Sequence, residues 1–236
     1  GKKRVVLELG GNAGCIVHSD AELDYAVERC VTGGFAYSGQ SCISVQRIFV
    51  HRPVYEKFIS RLVERAKALR VGNPLAEETD VGPMISVAAA ERAESWIREA
   101  VQSGAKVLIG GERSGALLMP TVLTDVTPEM KVSCEEVFAP VVVVSRYREF
   151  EEALRQVNAS RYGLQAGIFT RDVGRIFRAY EVIEVGGLIV NDVPTYRADH
   201  MPYGGVKDSG FGREGVRSAI EEMTEPHVLV LNLSVS

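Results

Sequence analysis

The 236-residue sequence contains no apolar run approaching the roughly 18–20 residues that a membrane-spanning helix requires. Its start, Gly1-Lys-Lys-Arg, lacks the apolar segment of a secretory signal peptide, so the expected compartment is the cytoplasm. The same basic start is too short to act as a nucleic-acid-binding arm. Histidine is scarce, with 4 residues, and the 4 cysteines (Cys15, Cys30, Cys42 and Cys134) are scattered with no Cys-x-x-Cys spacing. That distribution argues against a zinc site and against a disulfide framework, so no metal and four reduced thiols are expected. Neither sign of charge dominates: 27 Lys plus Arg against 31 Asp plus Glu leaves a net charge of −4. Such a balance gives no reason to expect nucleic acid or an anionic membrane as partner. Asn158-Ala-Ser and Asn232-Leu-Ser match the glycosylation pattern, which carries no meaning without secretion. No repeat, low-complexity segment or linker divides the chain. With 46% hydrophobic and 25% charged residues, the composition is that of a globular protein able to bury a substantial core.

Strand-like and helix-like patterns alternate. Residues 4–9 read as a strand ending at Gly10-Gly11, and Cys15-Ile-Val as a second, short one. Ser19-Asp-Ala-Glu has the form of a capping box. After it, Leu23, Ala26, Val27, Cys30, Val31 and Gly34 keep the i, i+3, i+4, i+7 rhythm of one buried helix face, which places Cys30 in the core. Residues 45–51 form a strand, and Pro53 opens a helix with Phe58, Leu62, Val63, Ala66 and Leu69 on one side. A turn-rich loop over 72–86 precedes a helix over 88–102 and a strand over 104–109. The run 140–147 is almost continuously apolar, as a strand covered on both faces would be. A helix over 150–160, a strand over 165–170, a helix over 173–183 and a strand over 186–191 complete the series. This alternation predicts a three-layer α/β/α fold with a mainly parallel sheet.

Three places carry candidate chemistry. Gly210-Phe-Gly-Arg-Glu-Gly matches the dinucleotide-binding G-x-G-x-x-G pattern, but a turn precedes it and too little chain follows for a βαβ unit. Its glycines are expected to shape a tight loop at a pocket wall. Cys42 lies outside the helix rhythm, on a turn after Gly39 and beside Gln40 and Ser41. A thiol there has backbone N–H groups beside it that can hold an oxyanion, although an ordinary thiol is mostly protonated at neutral pH. Glu8 puts a carboxylate near the end of the first strand, at a sheet edge of the kind where α/β proteins place ligands, or else simply in solvent. Spacing alone reads Glu135-Glu136 as a solvated pair.

These residues occur in segments that, together, resemble the aldehyde dehydrogenase superfamily: LELGGN at 7–12, GQSC at 39–42, EEVFAP at 135–140, YGLQAGIFT at 162–170, GGLIVND at 186–192 and PYGGVKDSGFGREG at 202–215. Their order and gaps match the family over essentially the whole chain. The resemblance implies that Cys42 is the nucleophile that attacks an aldehyde carbonyl, its own N–H helping to hold the oxyanion. It implies that Glu8 is the base that activates water to hydrolyse the resulting thioester, and that Glu214 is a second carboxylate on the proton path. Glu136 would bind the nicotinamide-side ribose of NAD or NADP, with Phe138 and Gly10 beside it. Ser41, Tyr203 and Arg197 would line the aldehyde pocket. Where the family commonly reads Phe-Gly-Pro this chain has Phe138-Ala139-Pro140, so a small backbone adjustment is expected there.

The resemblance further implies a catalytic domain over 1–224 and a C-terminal oligomerisation strand over 225–236, in a homo-dimer or tetramer. The family's N-terminal half, which holds most of the cofactor site, would be absent, leaving a fragment that binds NAD(P) weakly and does not turn over aldehyde. Tyr196, Arg197 and His200 near the pocket mouth hint at an anionic or hydroxylated aldehyde, such as lactaldehyde or a phosphorylated aldehyde. An Arg197 paired to Asp199 or left in solvent is an equal alternative. Two other readings of the whole chain remain open. One is a cysteine hydrolase or acyltransferase using His51 or His200, although a straight strand would carry His51 at least about 25 Å from Cys42. The other is a binding homologue that has lost its chemistry.

Overall fold

The computed structural model describes residues 3–233. Seven strands build one sheet: β1 (Ala13–Val17), β2 (Val45–His51), β3 (Lys106–Ile109), β4 (Thr121–Thr124), β5 (Val141–Tyr147), β6 (Gln165–Phe169) and β7 (Gly187–Val190). They lie in the order β7-β6-β1-β2-β5-β4-β3. All neighbours are parallel except β3, which closes one edge antiparallel to β4. The central strands are buried on both faces, which is why 141–144 can be valine throughout.

Five helices cover the sheet: α1 (Leu23–Phe35), α2 (Tyr55–Lys67), α3 (Val87–Gln102), α4 (Phe150–Asn158) and α5 (Val173–Val182), while α6 (Val216–Met223) buries none of its residues. Alternation along the strands decides which helix meets which residue. Ile48 and Val50 of β2 pack with Val27, Cys30, Phe58 and Leu62 of α1 and α2. Phe49, between them in sequence, points the other way, to Leu154 of α4 and Ala179 of α5. Val141 and Val143 of β5 meet Ala93 and Ile97 of α3 on that same second face. The three-layer α/β/α arrangement and its mainly parallel sheet are therefore present as expected. Each fully buried Phe, Leu or Ile in these layers contributes about 1.5–3 kcal/mol.

Three elements differ from the expectation. Of residues 4–9 only Leu7–Glu8 is strand, and it pairs antiparallel with Gly210–Phe211 outside the main sheet. Helix α1 begins at Leu23 and its cap is Glu22, whose carboxylate accepts from Tyr25 N; Ser19 does not cap it. Strand β4 escapes a periodicity reading because Thr121-Val-Leu-Thr is short and buried at every position, so it shows no alternation. Residues 224–233 form no ladder within the described chain, and Val228, Leu229, Val230 and Leu231 stand 68–83% exposed. The end of the expected oligomerisation strand, 234–236, lies outside the described residues. Among the described residues no helix is long and apolar enough to cross a membrane.

Candidate active site

The chain enters β1, β2 and β5 through three loops, and these strands are neighbours in the sheet. Gly10–Asn12, Cys42 and Glu136–Pro140 are thereby brought side by side at the amino ends of the parallel strands. Glu8 belongs to this amino edge and does not end a strand of the main sheet, which corrects the position that its sequence context suggested.

Cys42 follows a turn with three successive left-handed residues, Tyr37 (φ 52°), Ser38 (φ 57°) and Gly39 (φ 66°). Two of the three are not glycine, a conformation that costs on the order of 1–3 kcal/mol per residue and persists only when surrounding contacts enforce it. Those contacts are visible: Ser38 Oγ donates to Gly82 O at 2.7 Å, and Gln40 Oε1 accepts from Ile85 N at 2.8 Å. The loop over 72–86, legible only as turn-rich, thus braces the cysteine turn. At Gly39 any Cβ would collide with the Ala139 carbonyl.

Glu8 is positioned by the second glycine-rich segment. Leu7–Glu8 pairs with Gly210–Phe211, Ser209 Oγ donates to Gly10 O at 2.6 Å, and Leu9 N donates to Ser209 O at 3.1 Å. Gly11 lies so close to the Cys42 carbonyl oxygen that no side chain could stand there. The G-x-G-x-x-G segment therefore pins the Glu8 strand against the cysteine turn. It is flanked by two-residue antiparallel ladders and not by a βαβ unit.

The thiol of Cys42 is half-buried, and its Sγ lies 3.2 Å from Tyr203 Oη. Its pKa is pushed up to about 11, by burial first and also by the Glu8 carboxylate beside it, while the Tyr203 hydroxyl pulls the other way. Glu8 Oε1 is buried and has no hydrogen-bond partner among the described residues. A buried, unpaired carboxylate oxygen next to a protonated thiol is costly for folding alone, and such groups are commonly tied to function.

Glu136 is held differently. Its Oε1 accepts from Gly11 N at 2.8 Å, and a Cβ at Gly10 would come within 2.7 Å of its Oε2. Burial raises its pKa, Glu8 adds to the rise, and the Gly11 N–H opposes it. The solvated-pair reading holds only for Glu135, which pairs with Arg161 at 2.6 Å. A half-buried carboxylate beside a bare glycine backbone, with Phe138 37% exposed next to it, fits a ligand that offers hydroxyl donors, as a ribose does. Phe138 takes a left-handed φ of 51° while Ala139 is not among the left-handed residues, so the alanine carries no strain. Gln46, unremarked in the sequence, fixes this loop by donating to Val132 O (3.0 Å) and Glu135 O (2.7 Å) and accepting from Val137 N (3.1 Å). A glutamine next to Arg47 within a strand otherwise rich in branched and aromatic residues was the available signal.

The remaining expected residues are placed as follows. Ser41 adjoins the thiol in sequence, and its Oγ accepts from Ile43 N at 3.4 Å. Arg197 pairs with Glu214 at 3.3 Å rather than with Asp199, and its guanidinium lies 4.2 Å from the centre of the Tyr203 ring. Glu214 thus directs its carboxylate to Arg197. The thiol's hydrogen-bond partner is a phenol, not an imidazole: His200 is exposed, and His51 stacks on His18 and Tyr147 at the carboxyl ends of the strands. Among the described residues no group of three or more His, Cys, Asp or Glu is arranged to hold a metal.

Comparison with known proteins identifies the family of the chain. A model of the aldehyde dehydrogenase family matches residues 1–229. The 3-sulfolactaldehyde dehydrogenase of Priestia megaterium is 53% identical over 233 residues, covering 99% of this chain and 49% of that protein. The lactaldehyde dehydrogenase of Methanococcus aeolicus is 42% identical over 232 residues, 98% of this chain and 50% of that protein. Aldehyde dehydrogenase 21 of Physcomitrella patens, solved in complex with the reaction product succinate, superimposes with a TM-score of 0.97 at 49% identity, over 100% of this chain and 50% of that one. The chain spans about half the length of the relatives it matches. With a family model over nearly all its residues and relatives of this identity, the chain belongs to the aldehyde dehydrogenase family.

Proposed function

We propose that this chain carries the nucleophile and the water-activating base of an NAD(P)-dependent aldehyde dehydrogenase. Cys42, as thiolate, attacks the aldehyde carbon; a C–S bond forms and the carbonyl pair moves to oxygen, where the Cys42 N–H supports the negative charge. The nicotinamide cofactor, when bound, supplies the hydride acceptor that makes this an oxidation. Glu136, with Phe138 and Gly10, would hold its ribose side. Glu8 takes a proton from water as the water oxygen bonds to the acyl carbon of the Cys42 thioester. The C–S bond then breaks, the carboxylic acid leaves and the sulfur returns as thiolate.

The observation that carries this reading is the Glu8 carboxylate beside the Cys42 thiol, close enough to raise its pKa, with an oxygen left unpaired for a water. Glu214 stands outside that pair, and its proton-path role rests on the family resemblance alone. Arg197, Tyr203 and Ser41 suit a small anionic or hydroxylated aldehyde, the class named in the sulfolactaldehyde and lactaldehyde relatives. Because the chain covers half of those relatives, turnover is expected of a protein of their full length and not of residues 1–236 alone. The four free thiols suit the cytoplasm, and the exposed apolar run 228–231 suits a homo-dimer or tetramer.

Glu8→Gln in a protein of full relative length tests the assignment. Acylation should proceed and hydrolysis should slow by at least about 100-fold, so that mass spectrometry finds an acyl adduct on Cys42. Deacylation at the unaltered rate would overturn it.

A further inference from the structure

The Cys42 sulfur has one hydrogen-bonding neighbour for which the reaction above has no task, the phenol of Tyr203 at 3.2 Å. Tyr203 is only 3% exposed and packs with Ile43 and Leu164. Its backbone is latched on both sides to Glu214, with Tyr203 N donating to Glu214 O at 3.1 Å and Glu214 N donating to Tyr203 O at 2.6 Å. Above the ring lies the Arg197 guanidinium, itself held by the Glu214 carboxylate. One residue, Glu214, thus fixes the phenol through the backbone and fixes the cation over its ring through the side chain.

The geometry points to Tyr203 as a catalytic hydrogen-bond donor to the Cys42 thiolate, with Arg197 as a positioning residue that strengthens the donor; this deepens the proposed function and rests on Cys42 being its nucleophile. The need for such a donor follows from the charges. A thiolate at this place is opposed by burial and by the Glu8 carboxylate, which the chemistry requires to stay close. A cation placed at the sulfur would relieve the opposition but would also neutralise Glu8 as a base. A neutral O–H does not. Burial and the neighbouring sulfur keep the phenol protonated well above its ordinary range, so the proton remains available for donation at any working pH. Arg197 acts in the opposite sense on the phenol, as a cation on a ring face should, making the O–H more acidic and hence a better donor. Hydrogen bonds to an ionised partner are roughly twice as strong as neutral ones, so the Tyr203 contact gains strength when the thiol ionises. Once the sulfur is acylated the anion is gone and the contact weakens again. The phenol therefore favours the reactive thiolate over both the resting thiol and the thioester, without any change of covalent bonding on its own part.

A tyrosine that merely lined the aldehyde entrance would leave the titration of the thiol unchanged, and this separates the two roles. Iodoacetamide alkylation of each cysteine in the 236-residue chain is followed by peptide mass spectrometry between pH 7 and pH 11, with neither aldehyde nor cofactor present. Below the thiol pKa the rate follows the thiolate fraction, so a rise of one pKa unit slows alkylation about tenfold. Tyr203→Phe should slow Cys42 by about that factor at pH 8 and leave Cys134 unchanged. Arg197→Gln should slow Cys42 by a smaller factor, and should have no effect when added to Tyr203→Phe. An unchanged or faster Cys42 in Tyr203→Phe overturns the proposal. Should that variant fail to fold by circular dichroism, Arg197→Gln decides, because its side chain is 48% exposed and its loss leaves the core intact. A slower Cys42 then supports the donor, and an unchanged or faster one overturns it. Because the readout is thiol reactivity, it stands or falls separately from the Glu8→Gln test of turnover.

Discussion

The two ends of the same three strands differ in how they treat polar groups. At the carboxyl ends of β1, β2 and β5 stand His18, His51 and Tyr147, stacked on one another. The His18 and His51 rings lie 4.3 Å apart and 9° from parallel, and His18 Nδ1 is 2.7 Å from Tyr147 Oη. At the amino ends stand Glu8, Cys42 and Glu136, with a left-handed turn and an unpaired carboxylate oxygen. In most parallel sheets the carboxyl ends are where ligands bind. Here stacked rings fill the carboxyl ends of these three strands, with His51 Nδ1 buried and, among the described residues, unpaired there, while the left-handed Tyr37–Gly39 turn and the unpaired Glu8 oxygen lie at their amino ends. Three successive left-handed residues before Cys42 are the kind of backbone strain that clusters at functional sites, which supports the proposed placement of the chemistry at the amino edge.

The comparison breaks most severely at Gly11. Gly11→Ala puts a Cβ against the Cys42 carbonyl, so either the Glu8 strand or the cysteine turn must move. A loss of more than about 3 kcal/mol in urea unfolding is expected, together with altered Cys42 alkylation. The carboxyl edge can be broken by acid instead. Burial, followed by the nearby Arg175 and His51, lowers the His18 pKa to about 4. As pH falls below about 6.5 the unfolded chain takes up this proton first, so stability is full above that pH and is lost progressively toward pH 4. Allowing for solvent at the sheet edge, the loss is on the order of 2 kcal/mol, and His18→Gln should flatten the profile of melting temperature against pH. The smallest effect sharpens the picture of the Glu136 loop. Because Ala139 is not left-handed, Ala139→Gly should relieve nothing and cost about 0.5–1 kcal/mol through the unfolded chain. A stabilised variant would show that the alanine is strained.

Much of this architecture was legible because periodicity reports burial directly. The apolar faces of α1 and α2 and the strands at 45–51 and 141–147 are where their patterns place them. Thr121–Thr124 was not legible, since a strand buried at all positions shows no alternation. The strand over 4–9 shrank to two residues because its partner, the strand Gly210–Phe211, is itself only two residues long and lies almost the whole chain away. For the site, the turn after Gly39 singled out Cys42 and the family resemblance assigned roles to Glu8 and Glu136, whereas Gln46 and the Tyr37–Gly39 conformation passed unnoticed. Both owe their roles to distant partners, Val137 and Glu135 for the first and Gly82 for the second.

From the amino-acid order alone follow the layered α/β architecture, the separation of Cys42 from the core thiols and the family resemblance. These depend on short-range spacing and on residue types at single positions, which a linear text preserves. That Glu8 faces the sulfur, that Arg197 takes Glu214 and not Asp199, and that Tyr203 reaches the thiol were decided by the tertiary fold. Each is a contact between groups far apart in the chain, and the adjacency of β1, β2 and β5 that gathers them is a property of the assembled sheet.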